Sequence, residues 1–387
     1  MSIERAAIIG AGMAGLTAAL AFARYGIASD IFEEAAELVE VGAGLQISPN
    51  ASRILGTLGV LPALEAVWTE PEQIALVSGT SLRPIAHVPA GRFARERWEA
   101  PYGVLHRSAL QKALLAAVLQ NPLCRLHLDT PIRGKAHDVL SGSMGQTYPL
   151  IVGADGVWSN LRSSVPHAPE PDFSRNVAWR FIIPSAEAPS WLSNHQVTAF
   201  LGPSTHLVAY PLKKLDAVNI VAIASGISPG ETWDAKATEA QRRMLAEQFH
   251  RWDRRIVDLL QKAERPNFWP LHEVTAGRWQ NGRDTVLIGD AAHAMMPFAA
   301  QGAAMAIEDA FVLANRVAGP LPLAESLAAF ESERTARIAR VRARGLFNRF
   351  VYHARGPIKL GRNIVLSLRP PQSLAADLDW LYGFKAE

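Results

Sequence analysis

Ala6-Ala7-Ile8-Ile9-Gly10-Ala11-Gly12-Met13-Ala14-Gly15-Leu16 stands near the start of the 387-residue chain, and its reading decides the fold. Ala6 to Ile9 is a short apolar run of the kind a buried parallel strand requires. Gly10 to Gly15 is a G-x-G-x-x-G pattern, followed by an Ala/Leu-rich helix from Leu16 to Tyr25 that Gly26 ends. A second strand, Ala28 to Phe32, runs into Glu33. Each position has a physical task. Gly10 permits a tight turn, Gly12 lets backbone approach a pyrophosphate, and Gly15 lets helix and strand pack closely. The helix N-terminus, with Ala14 in the turn just before it, favours phosphate charge. Glu33, about 20 residues downstream, stands where a carboxylate meets ribose hydroxyls. The order strand, turn, helix, strand, acid predicts dinucleotide binding. NAD against FAD stays open on this motif, and an acid at the second strand's end argues against a 2′-phosphate. Residues 6–23 carry no charge and approach the lower length of a membrane span. The three glycines favour a buried strand, turn and helix instead.

Outward from this motif, the composition is that of a folded protein long enough for two cores: 49% hydrophobic and 19% charged. A net charge of +3 is too mild for a nucleic-acid protein. Cys124 is the single cysteine, so neither an intrachain disulfide nor a cysteine-held metal is expected, which fits a reducing, cytoplasmic setting. No signal peptide, internal repeat or low-complexity segment is read.

Two further strand-and-turn segments lie downstream. Leu150-Ile151-Val152-Gly153-Ala154-Asp155-Gly156 precedes a helix start at Ser159-Asn160-Leu161-Arg162. Thr285-Val286-Leu287-Ile288-Gly289-Asp290-Ala291-Ala292-His293 precedes Pro297, Gln301-Gly302 and a helix from Ala303 to Val317. Together with the N-terminal motif they resemble the single-component FAD-dependent aromatic monooxygenases of the para-hydroxybenzoate-hydroxylase-like family. Gly42-Ala43-Gly44-Leu45-Gln46-Ile47-Ser48-Pro49-Asn50 is similar to its flavin-side loop, and His106-Arg107-Ser108-Ala109-Leu110 to a segment with an arginine against FAD. Asp379-Trp380-Leu381-Tyr382-Gly383 is similar to salicylate-hydroxylase-like members, and the resemblance covers nearly the whole chain. It implies an α/β chain of α+β two-domain organisation. A Rossmann-type FAD domain of the glutathione-reductase-like class would carry an antiparallel-sheet substrate domain and C-terminal helices. It further implies tightly bound, non-covalent FAD and NAD(P)H as a transient co-substrate, since only one G-x-G-x-x-G is present. O2 would add at the flavin C4a, and the hydroperoxide would hydroxylate a small aromatic or hydroxy-heteroaromatic acid.

On that resemblance Glu33 would hold the adenosine ribose, Arg107 the pyrophosphate and adenosine region, and Asp290 the ribityl or pyrophosphate side. Asp155 would brace the cofactor, and Gly44, Pro297, Gln301, Gly302 and Ala303 would lie along the isoalloxazine. The helix beginning near Gly302 would aim its positive end at reduced flavin. The FAD domain is expected at 1–71, 101–170 and 275–340, the substrate sheet at 72–100 and 171–274, and a helical segment at 341–387. Strand-like runs at Asn176–Ile183, Val197–Leu201, Leu207–Tyr210 and Asn219–Ala224 are separated by breakers, among them Gly226 and Pro229-Gly230. Residues 237–263 read as one amphipathic helix or a pair.

His206 and Tyr210 lie four apart on a predicted strand and so face one side. They are the expected relay to a substrate hydroxyl, catalytic together with the flavin-side Pro297. Gln46 and Arg180 are expected beside the substrate, Arg180 on an anionic group or stacked on Trp179. His293 reads as structural. Arg334, Arg337, Arg340, Arg342, Arg344 and Arg349 read as a solvated helical face laced with Glu325, Glu331 and Glu333. No membrane span or nucleic-acid partner is expected, and the chain would be a monomer or homodimer. An epoxidase or hydroxylase of a larger non-acidic substrate, and a non-catalytic FAD-binding carrier, remain open. The absence of a Trp-x-Trp-x-Ile-Pro segment speaks against a halogenase.

Overall fold

The computed structural model describes residues 3–38, 43–134, 136–226, 235–263 and 266–386. Gly42 and the breaker Pro229-Gly230 lie outside them. Arg5–Ile9 is the middle strand of a five-stranded parallel sheet. Leu150–Gly153 and then Thr285–Leu287 lie on one side of it, Ala28–Phe32 and Cys124–His127 on the other. All three sequence motifs therefore end at the same edge of one sheet. The helix Met13–Ala23 buries nearly all its residues, as its uninterrupted apolar composition requires, and packs on the helix Gly302–Ala318. At Gly10 φ is +100°, and a Cβ there would stand 2.6 Å from the Ala154 carbonyl oxygen, so glycine alone fits where these two strands turn.

The second sheet has eight strands, ordered Ala235–Lys236, Asn267–Glu273, Asp172–Pro184, Ala217–Ser225, Thr205–Leu212, Gln196–Gly202, Gln73–Ser78 and Pro84–Pro89. It departs from the expected antiparallel sheet at one joint, where Gln196–Gly202 pairs parallel with Gln73–Ser78. The hairpin 73–89 arrives from an earlier excursion of the chain, so no tight turn links it to its neighbour or forces it antiparallel. One face of this sheet buries Val177, Trp179, Leu207, Ile220 and Ala222 against the helices Glu239–Phe249 and Arg254–Gln261, so of the single helix or pair left open over 237–263 a pair forms. The other face looks toward the parallel-sheet layer. Between them Gly44–Ile47 pairs with Gly103–His106, and the Gly44 N–H donates to Asn219 Oδ1 at 2.7 Å, tying the small hairpin to the large sheet.

The long helix runs unbroken from Leu323 to Tyr352, so position 340/341 falls inside one element. Its arginine row is only in part the solvated face expected: Arg340 and Arg349 are exposed, but others turn inward. Arg334 is fully buried between Glu308 and Asp309, at 2.7 Å from each, and Arg337 also reaches Glu308 at 2.8 Å. Arg342 donates to the backbone carbonyls of Val274 and Thr275. The reason lies on the partner helix: Gly302–Ala318 carries two carboxylates into the core, and buried carboxylates demand cations.

Candidate active site

The three motif turns and the inner face of the large sheet enclose one cavity of about 350 Å³. At one end Gly12, Met13 and Ala14 open the N-terminus of the helix Met13–Ala23, which no side chain caps. A Cβ on Gly12 would meet nothing within 4 Å, so the bare backbone N–H groups there face open space, as an approaching phosphate needs. The second uncapped helix start, at Gly302 and Ala303, opens into the same cavity beside Pro297. Asp155 stands between the lining residues Ala154 and Gly156 but does not itself line the cavity; its Oδ1 is buried, and its Oδ2 accepts from the Asn160 and Leu161 N–H groups at 2.9 and 3.2 Å. These features fit a dinucleotide cofactor with its pyrophosphate at the first helix and its ring system toward the second.

Two devices set the Gly-Asp turns. Buried Arg162 donates to the Asp290 and Ala291 carbonyls at 3.1 and 2.9 Å and to Val157 at 2.6 Å, locking the two turns together. Asp309 accepts from the Gly289 N–H at 2.9 Å and from His293 Nε2, which holds Asp290 at the cavity edge. His293 thus serves the fold, as read from the sequence.

At the other end, strand register builds the wall. Tyr210 pairs with Asn219, Val208 with Val221, and Val221 with Arg180, so His206, Val208, Tyr210, Val221 and Arg180 share the cavity face. Trp179 points to the opposite face and is buried among Phe268 and Val177. Arg180 instead lies 5.9 Å over Trp269, not on Trp179 as one reading had it. Successive strand residues alternate faces, which rules out the Trp179 contact. Tyr210 rests against bare Gly44, where any Cβ would strike its ring. Gln46 accepts from the Tyr102 hydroxyl at 2.6 Å on the flavin-side hairpin.

The electrostatics of this wall are set by burial. Arg180 Nε is buried without a partner, and among the described residues no carboxylate forms an ion pair with it. Burial pulls its pKa down, Tyr210 opposes that, and nearby Arg107 adds to it. Burial pushes the Tyr210 phenol up, so it stays a protonated donor. Burial, and then the neighbouring His353, pull His206 well below the usual histidine range, so its imidazole is neutral at pH 7.

Gly12, Ala14, Gly44, Gln46, Arg107, Arg180, His206, Tyr210, Asp290, Pro297, Gly302 and Ala303 all line the cavity. Five others, Gly10, Gly15, Glu33, Asp155 and Gln301, do not line it. Gly10 and Gly15 pack the turn, a Cβ on Gly15 meeting the Gly10 carbonyl. Glu33 accepts from the Ala11 and Ala35 N–H groups at 2.7 and 3.0 Å, bracing the glycine loop. Gln301 spends its side chain on Ser48 and Asn50, at 3.0 and 3.2 Å. Sequence reasoning missed His353, Asn219, Trp269 and Tyr102. None sits in a motif, and only the sheet register and the end of the long helix bring them in.

The family model for an FAD binding domain matches residues 4–344 of the chain. The chain is 33% identical over 385 residues to 3-hydroxybenzoate 6-hydroxylase 1 of Aquipseudomonas alcaligenes, covering 97% of this chain and 96% of that protein. It is 30% identical over 355 residues to 6-hydroxynicotinate 3-monooxygenase of Bordetella bronchiseptica, covering 87% and 90%. Among solved structures, a salicylate hydroxylase substrate complex superposes with a TM-score of 0.79 at 21% identity, covering 100% of this chain and 96% of that one.

Proposed function

The chain belongs to the FAD binding domain family, as an FAD-dependent aromatic hydroxylase, and on that premise we propose that it uses NAD(P)H and O2 to hydroxylate a small aromatic ring bearing both a carboxylate and a hydroxyl. A hydroxybenzoate or a hydroxypyridine carboxylate has this form. The observation that carries the substrate class is Arg180. A guanidinium held in a cavity wall with no counter-ion costs several kcal/mol, which an anionic ligand relieves. Arginine presents a planar fork suited to a carboxylate.

The cofactor would be held by the Gly12–Ala14 backbone at its pyrophosphate, with Arg107 and Asp290 along its length and Gly44, Pro297, Gly302 and Ala303 beside its ring system. Bound FAD supplies the redox chemistry, accepting reducing equivalents from NAD(P)H and passing one oxygen atom of O2 to the ring. The chain's own residues bind, orient and shield. Arg180 anchors the carboxylate, Tyr210 donates to the substrate oxygen, and neutral His206 accepts its proton. Trp269, Val221 and Val208 form the apolar wall that excludes water. The single free cysteine accords with a reducing, cytoplasmic setting.

The test is turnover by the yellow holoenzyme with a panel of hydroxybenzoates, amino-hydroxybenzoates and hydroxynicotinates. At least one acid should accelerate NADH or NADPH oxidation and yield a product carrying one atom of isotopically labelled O2. If no acid does so while a neutral polycyclic compound does, the larger-substrate reading replaces this one.

A further inference from the structure

His353 has no part in the function described so far, yet it is in direct contact with the cavity wall. It caps the long helix Leu323–Tyr352, and its Nε2 lies 2.9 Å from Nδ1 of His206. Its carbonyl accepts from the Ser204 N–H at 3.3 Å, fixing the helix end to the hairpin turn that precedes His206. The two rings lie 5.1 Å apart, with Phe298 at 5.1 Å and Tyr352 at 5.4 Å from His206. His206 is 1% exposed, whereas His353 is only partly buried. The pair thus spans from the cavity wall toward the surface.

A buried imidazole that accepts a proton becomes a buried cation. The side chains facing His206 are Phe298, Tyr352 and His353, and none is a carboxylate that would stabilise that cation. His206 can therefore take a proton only if it passes one on. Two neutral imidazoles joined by one hydrogen bond meet this need, because each ring has one N–H and one bare nitrogen. When His206 Nδ1–H donates to His353 Nε2, Nε2 of His206 is the bare nitrogen, on a residue that lines the cavity.

We propose that His353 is the outward member of a two-imidazole proton relay serving the substrate hydroxyl, an inference that rests on the hydroxy-aromatic substrate proposed above. The substrate O–H bond breaks as an N–H bond forms at His206 Nε2. The proton on His206 Nδ1 passes to His353 Nε2, and His353 Nδ1 gives its own proton to water. One proton leaves, no electrons move, and both rings end neutral with their tautomers exchanged. The groups facing His353 agree with release. Burial and the cations Arg349, on its own helix, and Arg355, beyond it, hold its pKa near 4, so it does not retain the proton at neutral pH. His353 acts through His206 and is a positioning and relay residue, not one that touches substrate.

Two measurements on the FAD-loaded protein test this. The first mixes it with the chromophoric probe 3-hydroxy-4-nitrobenzoate near pH 6 and follows phenolate absorbance by stopped flow, without NAD(P)H. His353→Gln keeps a hydrogen bond to His206 but cannot carry a proton through its side chain. Probe affinity should stay within about twofold of wild type while phenolate formation slows at least tenfold, with partial rescue by added imidazole. Unchanged phenolate formation, or a loss explained entirely by weaker binding, overturns the relay. The second needs no ligand: ring nitrogen NMR shifts of His206 should show exchanging tautomers in wild type and a single tautomer in His353→Gln. One fixed tautomer in wild type makes the pair a static structural bond and overturns the relay. If the probe fails to bind wild type, the proposed substrate class fails, and the tautomer measurement still decides the relay.

Discussion

Arg180 illustrates how a single residue's meaning depends on its neighbours. In sequence it is one arginine after a tryptophan. In the structure it is a guanidinium over Trp269 in a cavity wall, with no ion-pair partner among the described residues. If it anchors the substrate carboxylate, Arg180→Met removes charge-assisted hydrogen bonds worth about 1.5–3 kcal/mol. KM for the acid should then rise on the order of ten- to a hundredfold. KM for the matching carboxamide, measured on the same two proteins, should move little. Parallel shifts for both compounds would remove Arg180 from carboxylate binding. Glu33 shows the opposite case. Its place after the second strand was legible, but its two bonds to the Ala11 and Ala35 N–H groups were not, because those donors become neighbours only when the glycine turn closes.

Among elements, the paired helices Gly302–Ala318 and Leu323–Tyr352 carry the clearest energetic argument. Glu308 and Asp309 are fully buried, and Arg334, Arg337 and His293 compensate them. Removing one partner of a buried ion pair leaves the other charge uncompensated, at about 3–5 kcal/mol. Arg334→Met should lower the urea midpoint of the holoenzyme accordingly, and an unchanged midpoint would contradict the network. Burial alone would raise the Asp309 pKa, but His293 and Arg334 hold it at about 2, below the ordinary 3.8. A carboxylate with a depressed pKa contributes stability above its unfolded value and loses it as pH falls. Wild-type stability from this group should therefore decline between about pH 4 and pH 2. In Arg334→Met the folded-state pKa moves up toward the unfolded value, so the acid-dependent loss should be smaller and end at a higher pH, as read from thermal midpoints across an acid series. The sequence showed the arginines at helical spacing but not this use of them. Periodicity assigns residues to a face and cannot tell whether that face meets water or two buried acids.

At the scale of the whole molecule, the surface is uneven. Leu346, Phe347 and Phe350 at the end of the long helix are all exposed, as are Ile358, Leu360, Ile364, Val365 and Leu368 on the next helix, Gly356–Leu368. That helix turns its polar residues inward instead: Lys359 donates to Thr80 Oγ1 at 2.8 Å and Arg362 to the Val351 carbonyl at 2.7 Å. Exposed apolar side chains in this number on two successive helices bind hydrophobic probes. The double variant Ile364→Glu, Val365→Glu should lose most of the protein's anilinonaphthalene-sulfonate fluorescence while keeping its flavin content. Undiminished fluorescence would place the apolar surface elsewhere. Among the described residues no helix is long and apolar enough to cross a membrane, which agrees with the strand–turn–helix reading of residues 6–23. The sequence by itself determined the cofactor-binding half, because a glycine turn between strand and helix is a local feature whose sterics and dipole are set by adjacent residues. It also placed His206 and Tyr210 on one face, since strand alternation is local too. Only the tertiary structure decided what surrounds them: Trp269 beneath Arg180, Asn219 fastening Gly44, Gln301 turned into the core, and His353 behind His206. Those pairings join residues far apart in the chain through sheet register and helix packing, and no local pattern encodes a register between strands that meet only on folding.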